Sequence, residues 1–539
     1  MSGTRNDDQG GAAPGGAAPG GARPDDGGRE RRVGPLNLMA YGIGDLYGGG
    51  SFLLIGMLFL FFLTEVVGMS PALAGVVFAI GKVWDAVTDP LMGYISDRTK
   101  SRFGRRRVYF LIGIIPIILS FAALWLPIPS GSQVGLFIYY SLAYMLFSTV
   151  FTMVMVPYSA LNAEMSRDYA VRTRLSGTRI IFSQVSALLA GTIPTLIINA
   201  VGGDQSIGYL VMGIAFAVLY GVVWLPVFLG TWELPQESVR VRTTGAAGPL
   251  DVFRQFGRIF TNRSFRIHVA MYILSYTAVD VLMALFAYYI TYYIGRQSLY
   301  SVAMGSLLLT QIVMLPVYVA ISNRWGKGRA YVVGLSIWLV GLLASLSLTG
   351  ESSVVAIAAV CVVIGAGVSA GIMVPWAILP SVIDVDEYLY GMRRAGVYSG
   401  AMTLTRKAVQ GLLALPLVGV VLEIIGFAPG ADVPQAALTG LRVFFVIGPA
   451  VLILFGILVG FRFPITPQRH AILRDELERR RRGGSPDEMA PETQQVCLLL
   501  SGSRRGSESY IARSDADPDG DVSGTAPRSG STEGRSDER

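Results

Sequence analysis

Residues 81–107 read GKVWDAVTDPLMGYISDRTKSRFGRRR, and this stretch carries two opposed signals. Its first part is apolar, yet it contains two aspartates, Asp85 and Asp89, four residues apart and therefore on one face of a helix. Its last part, from Asp97 to Arg107, contains six Lys or Arg residues. A basic cluster directly after an apolar helix is typical of the cytoplasmic end of a membrane span. We therefore expect a transmembrane helix that holds a pair of carboxylates inside the bilayer.

The whole chain has the composition of a membrane protein. Of its 539 residues, 52% are hydrophobic and 15% are charged, whereas an average soluble domain is about 25% charged. About 20 mostly apolar residues cross the hydrocarbon core as a helix. Twelve such segments lie near 38–64, 72–96, 107–127, 134–160, 175–200, 207–230, 267–294, 299–321, 329–349, 353–378, 396–425 and 439–462. The sequence thus predicts an all-α polytopic membrane protein with twelve transmembrane helices.

Basic residues alternate with these spans. The joins after spans two, four, six, eight and ten are basic, whereas the opposite joins carry no Lys or Arg apart from Arg296. This asymmetry predicts that both termini are cytoplasmic. The formal charge of +7 then follows from membrane topology, and we expect no nucleic-acid partner.

The longest join separates two groups of six spans. The end of span two, from Gly93 to Arg107, is similar to the end of span eight, from Ile321 to Arg329, and two related halves are typical of transporters with a central site. We predict the following segments: a disordered cytoplasmic N-terminal tail (1–36), two six-helix halves (37–230 and 267–463), a cytoplasmic loop between them (231–266) with a short interfacial helix (251–260), and a mostly disordered cytoplasmic C-terminal tail (464–539) with one basic helix (469–482).

Ionisable residues inside the spans are the functional candidates, because charge in hydrocarbon is costly. Two carboxylates as close as Asp85 and Asp89 repel each other unless a cation lies between them or one takes a proton. We therefore expect a site for a coupling ion, Na⁺ or H⁺, and no other cofactor. The alternative is a structural role, in which Lys82 or basic residues of other helices neutralise the pair.

Other charges are expected at a similar depth in the membrane. At 1.5 Å per residue, Asp45 lies roughly 10 Å into span one. In the second half, Asp280 lies in span seven and Arg406 and Lys407 lie in span eleven. We expect one of these two cations to face a cavity and the other to snorkel or to pair with Asp280, and the sequence does not distinguish them. Arg179, in span five, either meets the substrate or anchors its helix at the interface.

A further set of residues is expected to control opening. Charges at the membrane face of span two are candidates for a latch between the halves or for orientation signals, and prolines near the ends of spans four and ten are candidate bends. The predicted gating residues are Gly93, Asp97, Arg98, Arg105 and Pro157. Asp384, Asp386 and Glu387 are expected to follow span ten and to pair with basic loops. They lack a nucleophile–base pair or a His, so an integral membrane enzyme is disfavoured.

The stretch from Trp84 to Arg105 resembles the signature of the glycoside-pentoside-hexuronide:cation symporters, the melibiose-permease branch of the major facilitator superfamily. The segments 156–161, 375–380 and 398–407 support this resemblance, which covers 37–463. It implies a major-facilitator-type fold. It also implies that Asp85 and Asp89 bind the cation, that Asp45 and Arg179 contact the sugar, and that Arg406 or Lys407 matches the basic residue of span eleven.

Two positions in span four depart from the melibiose permease. Met155 stands where that protein has an Asp shared by sugar and cation, and Ser159 stands where it has a Trp against the sugar ring. The animal sodium-dependent lysophospholipid symporters resemble this chain in the same span-two motif and also lack the span-four carboxylate.

The resulting prediction is a secondary symporter in the plasma or inner membrane. It imports a small polar solute, expected to be a sugar or glycoside, with Na⁺ or H⁺ by alternating access, and acts as a monomer. The alternative is a sodium-dependent transporter of lysolipids or other amphipathic solutes with the same fold. A sensor that signals through the C-terminal tail is a further alternative of a different class.

Overall fold

The computed structural model describes residues 33–129, 131–166, 169–233, 257, 259–391, 394–427, 433–485 and 488–502, and no strand occurs in this part of the chain. Eleven helices there are long and apolar enough to cross a membrane, and Val108–Leu124 is a shorter apolar helix at the third predicted span. In chain order the twelve are α1 Pro35–Phe59, α2 Pro71–Arg98, α3 Val108–Leu124, α4 Gln133–Met165, α5 Tyr169–Val201, α6 Gln205–Gly230, α7 Arg263–Tyr293, α8 Tyr300–Trp325, α9 Lys327–Ala344, α10 Val354–Tyr390, α11 Ala395–Ile424 and α12 Gln435–Phe461.

Three of the twelve helices, α1, α7 and α11, contain irregular turns. A turn at Ile43 and Gly44 interrupts α1 directly before Asp45. π-Helical turns occur in α1 at Ile55–Phe59, at the end of α7 at Tyr289–Tyr293, and in α11 at Gln410–Ala414. π-Turns inside α-helices are frequent at functional sites because they redirect side chains.

The helices pack as a first half, α1–α6, and a second half, α7–α12. The halves meet where α2 contacts α11, α5 contacts α8, and α1 contacts α7. Small residues allow the close approach of α2 and α11: a Cβ atom on Gly419 would lie 2.2 Å from the carbonyl oxygen of Pro71. Glycine at such a contact is typical of helix packing in lipid.

The two ends of the bundle differ. We call the end with the 99–107 loop and the α8–α9 join the basic face, and the other end the opposite face. At the opposite face the Thr64 and Tyr288 hydroxyls are 2.6 Å apart, Tyr292 bonds to Glu65, and the Ala72 N–H donates to Glu423 Oε2 at 3.0 Å. Among the described residues, no hydrogen bond or ion pair joins the halves at the basic face. The structure is therefore closed at the opposite face.

The predicted latch residues form bonds within the first half. Asp97 pairs with Arg106 at 3.0 Å, and Arg105 pairs with Glu164 of α4. The Glu233 carboxylate accepts the backbone N–H groups of Arg105, Arg106 and Arg107 at 2.9–3.0 Å. These contacts fix the α2–α3 loop to α4 and to the end of α6, and no described contact of this cluster reaches the second half.

The other predicted gating positions lie within helices. Arg98 stacks on the Tyr94 ring, with 3.5 Å between the guanidinium carbon and the ring centroid. Gly93 lies inside α2, and α4 continues through Pro157 to Met165. The proline therefore does not end its helix.

Two helices follow the transmembrane bundle, α13 Pro467–Arg481 and α14 Pro491–Ser501. The predicted basic helix corresponds to α13. α14 lies where the sequence predicts disorder, because Cys497 and Leu500 become fully buried and Ser264 donates a hydrogen bond to the Leu500 carbonyl at 2.6 Å. The predicted tails at 1–32 and 503–539, and 251–256 of the predicted interfacial helix, lie outside the described residues.

Helix α13 packs against the end of α10 through polar and charged side chains. His470 contacts Asp384 at 2.9 Å, Arg481 pairs with Glu387, and the Arg480 guanidinium lies 4.3 Å from the Tyr388 ring centroid. The three acidic residues expected after span ten therefore lie inside α10, which extends to Tyr390. Asp384 and Glu387 pair with a helix rather than with loops.

Two further carboxylates of this region are held by arginines, and one of these arginines, Arg394, belongs to the basic join after α10 as the sequence predicted. Asp386 is fully buried, pairs with Arg394 and accepts a hydrogen bond from Tyr398 at 2.7 Å. In α13, burial opposes ionisation of Glu476, but hydrogen bonds from Arg479 and Arg480 outweigh burial and hold the pKa of its carboxyl below the usual value.

Candidate transport site

A cavity of about 430 Å³ lies between the two halves. We call it the central cavity. Its walls come from α1, α2, α4, α5, α7, α8, α10 and α11, so that both halves contribute, and its size suits a small solute. Its ionisable and amide residues are Lys82, Gln184, Asp280, Gln311, Arg406, Lys407 and Gln410.

Asp85 is a buried carboxylate with unusual surroundings. The residue is 1% exposed, and neither carboxylate oxygen has a hydrogen-bond partner among the described residues. The ammonium groups of Lys82 and Lys407 lie 3.5 and 3.8 Å from the same oxygen, Oδ2. A buried carboxylate normally accepts several hydrogen bonds. Asp85 is therefore balanced by charge but keeps unused acceptor capacity.

Asp89 lies one turn along α2 and is more accessible. Lys407 pairs with it, and Thr152 of α4 donates to Oδ1 at 2.8 Å. Asp89 and Lys407 also line a neighbouring cavity formed by α4, which includes Met155 and Ser159. Lys407 thus contacts both carboxylates of α2 and lines both cavities.

The contacts of the aspartate pair match the predicted structural role. Lys82 and Lys407 neutralise the aspartate pair, as the structural alternative expects. A coupling-ion site at this pair stays a prediction. Among the described residues, no group of three or more His, Cys, Asp or Glu side chains could hold a metal ion.

Asp45 and Arg179, which the resemblance assigns to the sugar, are brought together. Arg179 Nη2 lies 2.9 Å from Asp45 Oδ1, and its guanidinium stacks on Tyr158 at 4.5 Å from the ring centroid. Neither residue lines the central cavity. They lie one helical turn before Gly48 and Ser183, which do, on the side of the basic face.

Asp280 is the one carboxylate among the described residues that line the central cavity. Gln410, at the π-turn of α11, donates to Asp280 Oδ1 at 2.9 Å, and Arg406 lies 3.5 Å from the same oxygen. The Arg406 guanidinium stacks on the Tyr276 ring at 4.3 Å from the centroid. Both basic residues of span eleven therefore line the cavity, each with its own carboxylate: Arg406 with Asp280 and Lys407 with Asp89.

Three aromatic residues form one wall of the central cavity, and the sequence analysis did not identify them as binding residues. Trp376 Nε1 donates to the Tyr276 hydroxyl at 2.9 Å, and the Tyr272 ring lies 5.8 Å from Trp376 and 4.5 Å from Tyr276. We call these three residues the aromatic wall. Trp376 is 42% exposed. The available signal was Trp376 directly after Pro375, together with the four-residue spacing of the two tyrosines.

Two residues that line the central cavity keep buried polar atoms without a partner in the described part of the chain. They are Nε of Arg406, a donor, and Oε1 of Gln311, an acceptor. Leaving such atoms unsatisfied costs free energy. Both atoms have almost no accessible surface, so a solute could reach them only if these side chains moved.

Comparison with known proteins identifies relatives along most of the chain. The model of the family described as "MFS/sugar transport protein" matches residues 40–467. "Uncharacterized symporter sll1374" of Synechocystis sp. is 30% identical, over 82% of this chain and 96% of that protein. "Putative sulfoquinovose importer" of Escherichia coli is 26% identical, over 86% of this chain and 97% of that protein.

Solved structures of transporters share the fold. The D-xylose-proton symporter has a TM-score of 0.55 at 14% identity and covers 77% of this chain and 96% of its own. The nucleoside transporter NupG has a TM-score of 0.53 at 14% identity and covers 80% of this chain and 98% of its own. At these identities the likeness shows the fold alone.

Proposed function

The chain belongs to the family of MFS/sugar transport proteins, and from this membership we propose that it is a cation-coupled symporter of a sugar that carries an acidic group. Family membership, the all-α major-facilitator-type fold and the absence of an enzymatic role are as the sequence predicted. Secondary transport of a sugar-type solute by a multi-pass membrane protein follows from the symporter relatives. The coupling ion, the acidic solute and the site residues are our proposal.

One observation carries this proposal: Lys407 pairs with Asp89 and also lines the central cavity. In this structure its ammonium neutralises the aspartate pair together with Lys82. When Na⁺ or H⁺ binds at Asp85 and Asp89, Lys407 loses its partner and becomes available to a solute. Cation binding then favours solute binding, and by linkage the reverse is equally true.

The charges of the central cavity favour an acidic solute. Lys82, Arg406 and Lys407 line it, against one carboxylate, Asp280. Once a monovalent cation occupies the aspartate pair, the cluster of Lys82, Lys407, Asp85 and Asp89 carries one net positive charge, and one carboxylate or sulfonate on the solute restores neutrality. The relative named for sulfoquinovose, a sulfonated sugar, supports this class of solute.

We assign the sugar ring to the aromatic wall. Sugar C–H faces are apolar and pack on aromatic rings, whereas ring hydroxyls need donors and acceptors such as Arg406 and Gln311. The wall lies in the second half, and Ser159 in the first half replaces the Trp of the melibiose permease. Asp45 and Arg179 remain candidates for contact with the solute as it passes toward the basic face.

We propose that the structure represents the conformation open at the basic face, and that this face and both termini are cytoplasmic. Basic residues concentrate there, and the bonds that join the halves lie at the opposite face and at Lys407. The central cavity is formed by one chain, so a monomer suffices. Gating would bring the cluster around Asp97 and Arg105 toward the second half.

Proteoliposomes test this function. Purified protein is given an inward gradient of Na⁺ or of H⁺, and uptake of a labelled sulfonated sugar, a hexuronate, a neutral disaccharide and a lysophospholipid is compared. We expect accumulation of an acidic sugar above its equilibrium level with one gradient and its collapse on adding the matching ionophore. Uptake that stops at equilibrium under both gradients would refute coupling, and accumulation of the lysophospholipid alone would favour the amphipathic-solute alternative.

A further inference from the structure

A cavity of about 460 Å³ lies away from the transport site, at the basic-face ends of α8, α9 and α12. We call it the peripheral cavity. It is bounded by the α8–α9 join and by the segment that leads from α12 into α13. Its lining includes Trp325, Gly328, Arg329, Phe461, Thr466 and Arg469.

One end of the peripheral cavity is cationic. Arg329 is exposed and has no hydrogen bond or ion pair to any described residue. Arg469 uses Nη1 to donate to the Pro464 carbonyl at 3.0 Å, which leaves the rest of its guanidinium for other acceptors. No Asp or Glu is among the described residues that line the cavity. Two guanidinium groups without a carboxylate between them are complementary to a phosphate diester.

The cationic end continues behind the cavity. An adjoining cavity beneath α13 is lined by Lys327, His470 and Arg474, of which His470 contacts Asp384 and Arg474 lies 3.9 Å from Glu478. Gly326, at a φ of +93°, lets α13 approach α9 closely: a Cβ atom there would lie 3.0 Å from Pro467. The positive charge therefore comes from two separate segments, α9 and α13, which this contact holds together.

The other end of the peripheral cavity is apolar and exposed. Trp325 is 52% exposed and Phe461 is 73% exposed, and each is the last residue of a membrane-spanning helix. Aromatic side chains at helix ends lie at the level of the lipid headgroups. The cavity therefore combines an apolar rim at the membrane boundary with cations directly beyond it.

We propose that the peripheral cavity binds one anionic phospholipid, whose phosphate lies between Arg329 and Arg469 and whose acyl chains run along Trp325 and Phe461. Basic pockets between transmembrane helices on the cytoplasmic side recognise acidic headgroups in this way. The lipid bridges α9 and α13 and so secures the C-terminal helices to the second half. This proposal does not depend on the transported solute or the coupling ion.

Lipid retention by the purified full-length chain tests the site. Native mass spectrometry counts bound phosphatidylglycerol and phosphatidylcholine after exchange into detergent with either lipid. We expect retention of one phosphatidylglycerol and no matching retention of phosphatidylcholine. Arg329→Gln should weaken phosphatidylglycerol binding about fivefold, and Arg469→Gln by a similar factor, since each cation near an anionic lipid contributes roughly that much.

Matched variants distinguish binding at this site from a general attraction of anionic lipids to the basic face. Lys100→Gln removes an exposed charge from the same face of the first half and should leave retention unchanged. Arg329→Lys should retain most of the binding. Arg329 has no described partner, so its Gln variant should fold with an unchanged melting temperature in the absence of lipid.

Three results would overturn the proposal. They are equal retention of both lipids, wild-type retention by Arg329→Gln and Arg469→Gln, and an equal loss in Lys100→Gln. Glycerol 3-phosphate and inorganic phosphate test whether a soluble phosphate without acyl chains binds the same site. If either raises the melting temperature as much as phosphatidylglycerol does, the acyl chains contribute nothing and the site binds a soluble phosphate instead.

Discussion

Two clusters of charged residues lie at the centre of the molecule, one around Asp280 and one around Asp85 and Asp89. The contacts of their carboxylates differ. Asp280 accepts a hydrogen bond from Gln410 at 2.9 Å and lies 3.5 Å from Arg406, which is itself stacked on Tyr276. Asp85 accepts no hydrogen bond in the described part of the chain and has two ammonium groups at 3.5 and 3.8 Å.

Because of this difference, Arg406 beside Asp280 is a fixed charge, whereas Lys407 beside Asp85 and Asp89 is an exchangeable one. A guanidinium is planar and keeps its orientation when it stacks on a ring, whereas an ammonium is a compact charge on a flexible stem. The Asp280 group is therefore suited to present Arg406 to a solute without moving. The Asp85 and Asp89 group is suited to exchange Lys407 for a coupling cation.

Removing the exchangeable carboxylates should have the largest effect. In Asp85→Asn/Asp89→Asn we expect gradient-driven accumulation to fall about 100-fold, the upper range of coupling between two sites. Exchange of labelled for unlabelled solute should persist, because the cavity wall is intact. Uptake and counterflow in proteoliposomes measure the two activities. Asp204→Asn, an exposed helix cap at the opposite face, is the control, and accumulation equal to wild type in the double variant would remove the distinction.

Removing Arg406, the fixed cation, should change the affinity for the solute rather than the coupling to the cation gradient. Arg406→Gln should weaken binding of an acidic sugar about 30-fold, as expected for a lost hydrogen bond to a charged group, and should leave the cation affinity unchanged. Isothermal titration calorimetry of the solute at saturating cation measures this. Arg406→Lys keeps the charge but not the planar fork, and should recover only part of the affinity. A variant that lost cation affinity and kept solute affinity would reverse our assignment of the two groups.

Lys407→Gln should change the cation affinity, which Arg406→Gln leaves unchanged. Removal of Lys407 takes away the internal competitor for Asp85 and Asp89, so the apparent cation affinity should rise about tenfold, because Asp89 then lacks a charge partner and Asp85 keeps only Lys82. Cation titration followed by intrinsic tryptophan fluorescence measures the change. Lys407→Arg restores a competing charge and should reverse it. A fall in cation affinity would mean that Lys407 supports the site rather than competes with the ion.

The aromatic wall should have the smallest effect of the four. Trp376→Ala should lower solute affinity about fivefold, in line with the contribution of an aromatic contact, at unchanged cation affinity. Trp376→Phe keeps a ring but loses the hydrogen bond to Tyr276 and should stay near wild type. Wild-type affinity in the Ala variant would show that the sugar lies elsewhere, for example against Asp45 and Arg179.

The spans and the charged residues of the cavity could be read from the sequence because the membrane constrains both. Lipid leaves backbone groups no partner other than the helix itself, so the predicted third span at 107–127 forms the helix Val108–Leu124. Buried charge is costly and therefore rare, and this rarity identified Lys82, Asp280, Arg406 and Lys407, all of which line the central cavity. Their roles in transport stay predictions.

The sequence did not decide which of Arg406 and Lys407 pairs with which carboxylate, because this depends on how α2, α7 and α11 pack. The aromatic wall was missed for a different reason: Tyr and Trp are common in apolar spans, and spacing alone does not separate a cavity wall from core packing. Helix α14 was missed because the short apolar run at 496–500 gains its burial against α7, α10 and α13, the first two of which are distant in sequence.

Linkage between cation and solute binding tests the central claim most directly. The dissociation constant of the acidic sugar is measured by calorimetry with and without saturating Na⁺, and across pH, for wild type and for Asp85→Asn/Asp89→Asn. We predict that one cation tightens solute binding at least about fivefold in wild type and has no effect in the double variant. Solute affinity that ignores both cations in wild type, or that responds equally in the double variant, would contradict the assignment of Asp85 and Asp89 as the coupling site.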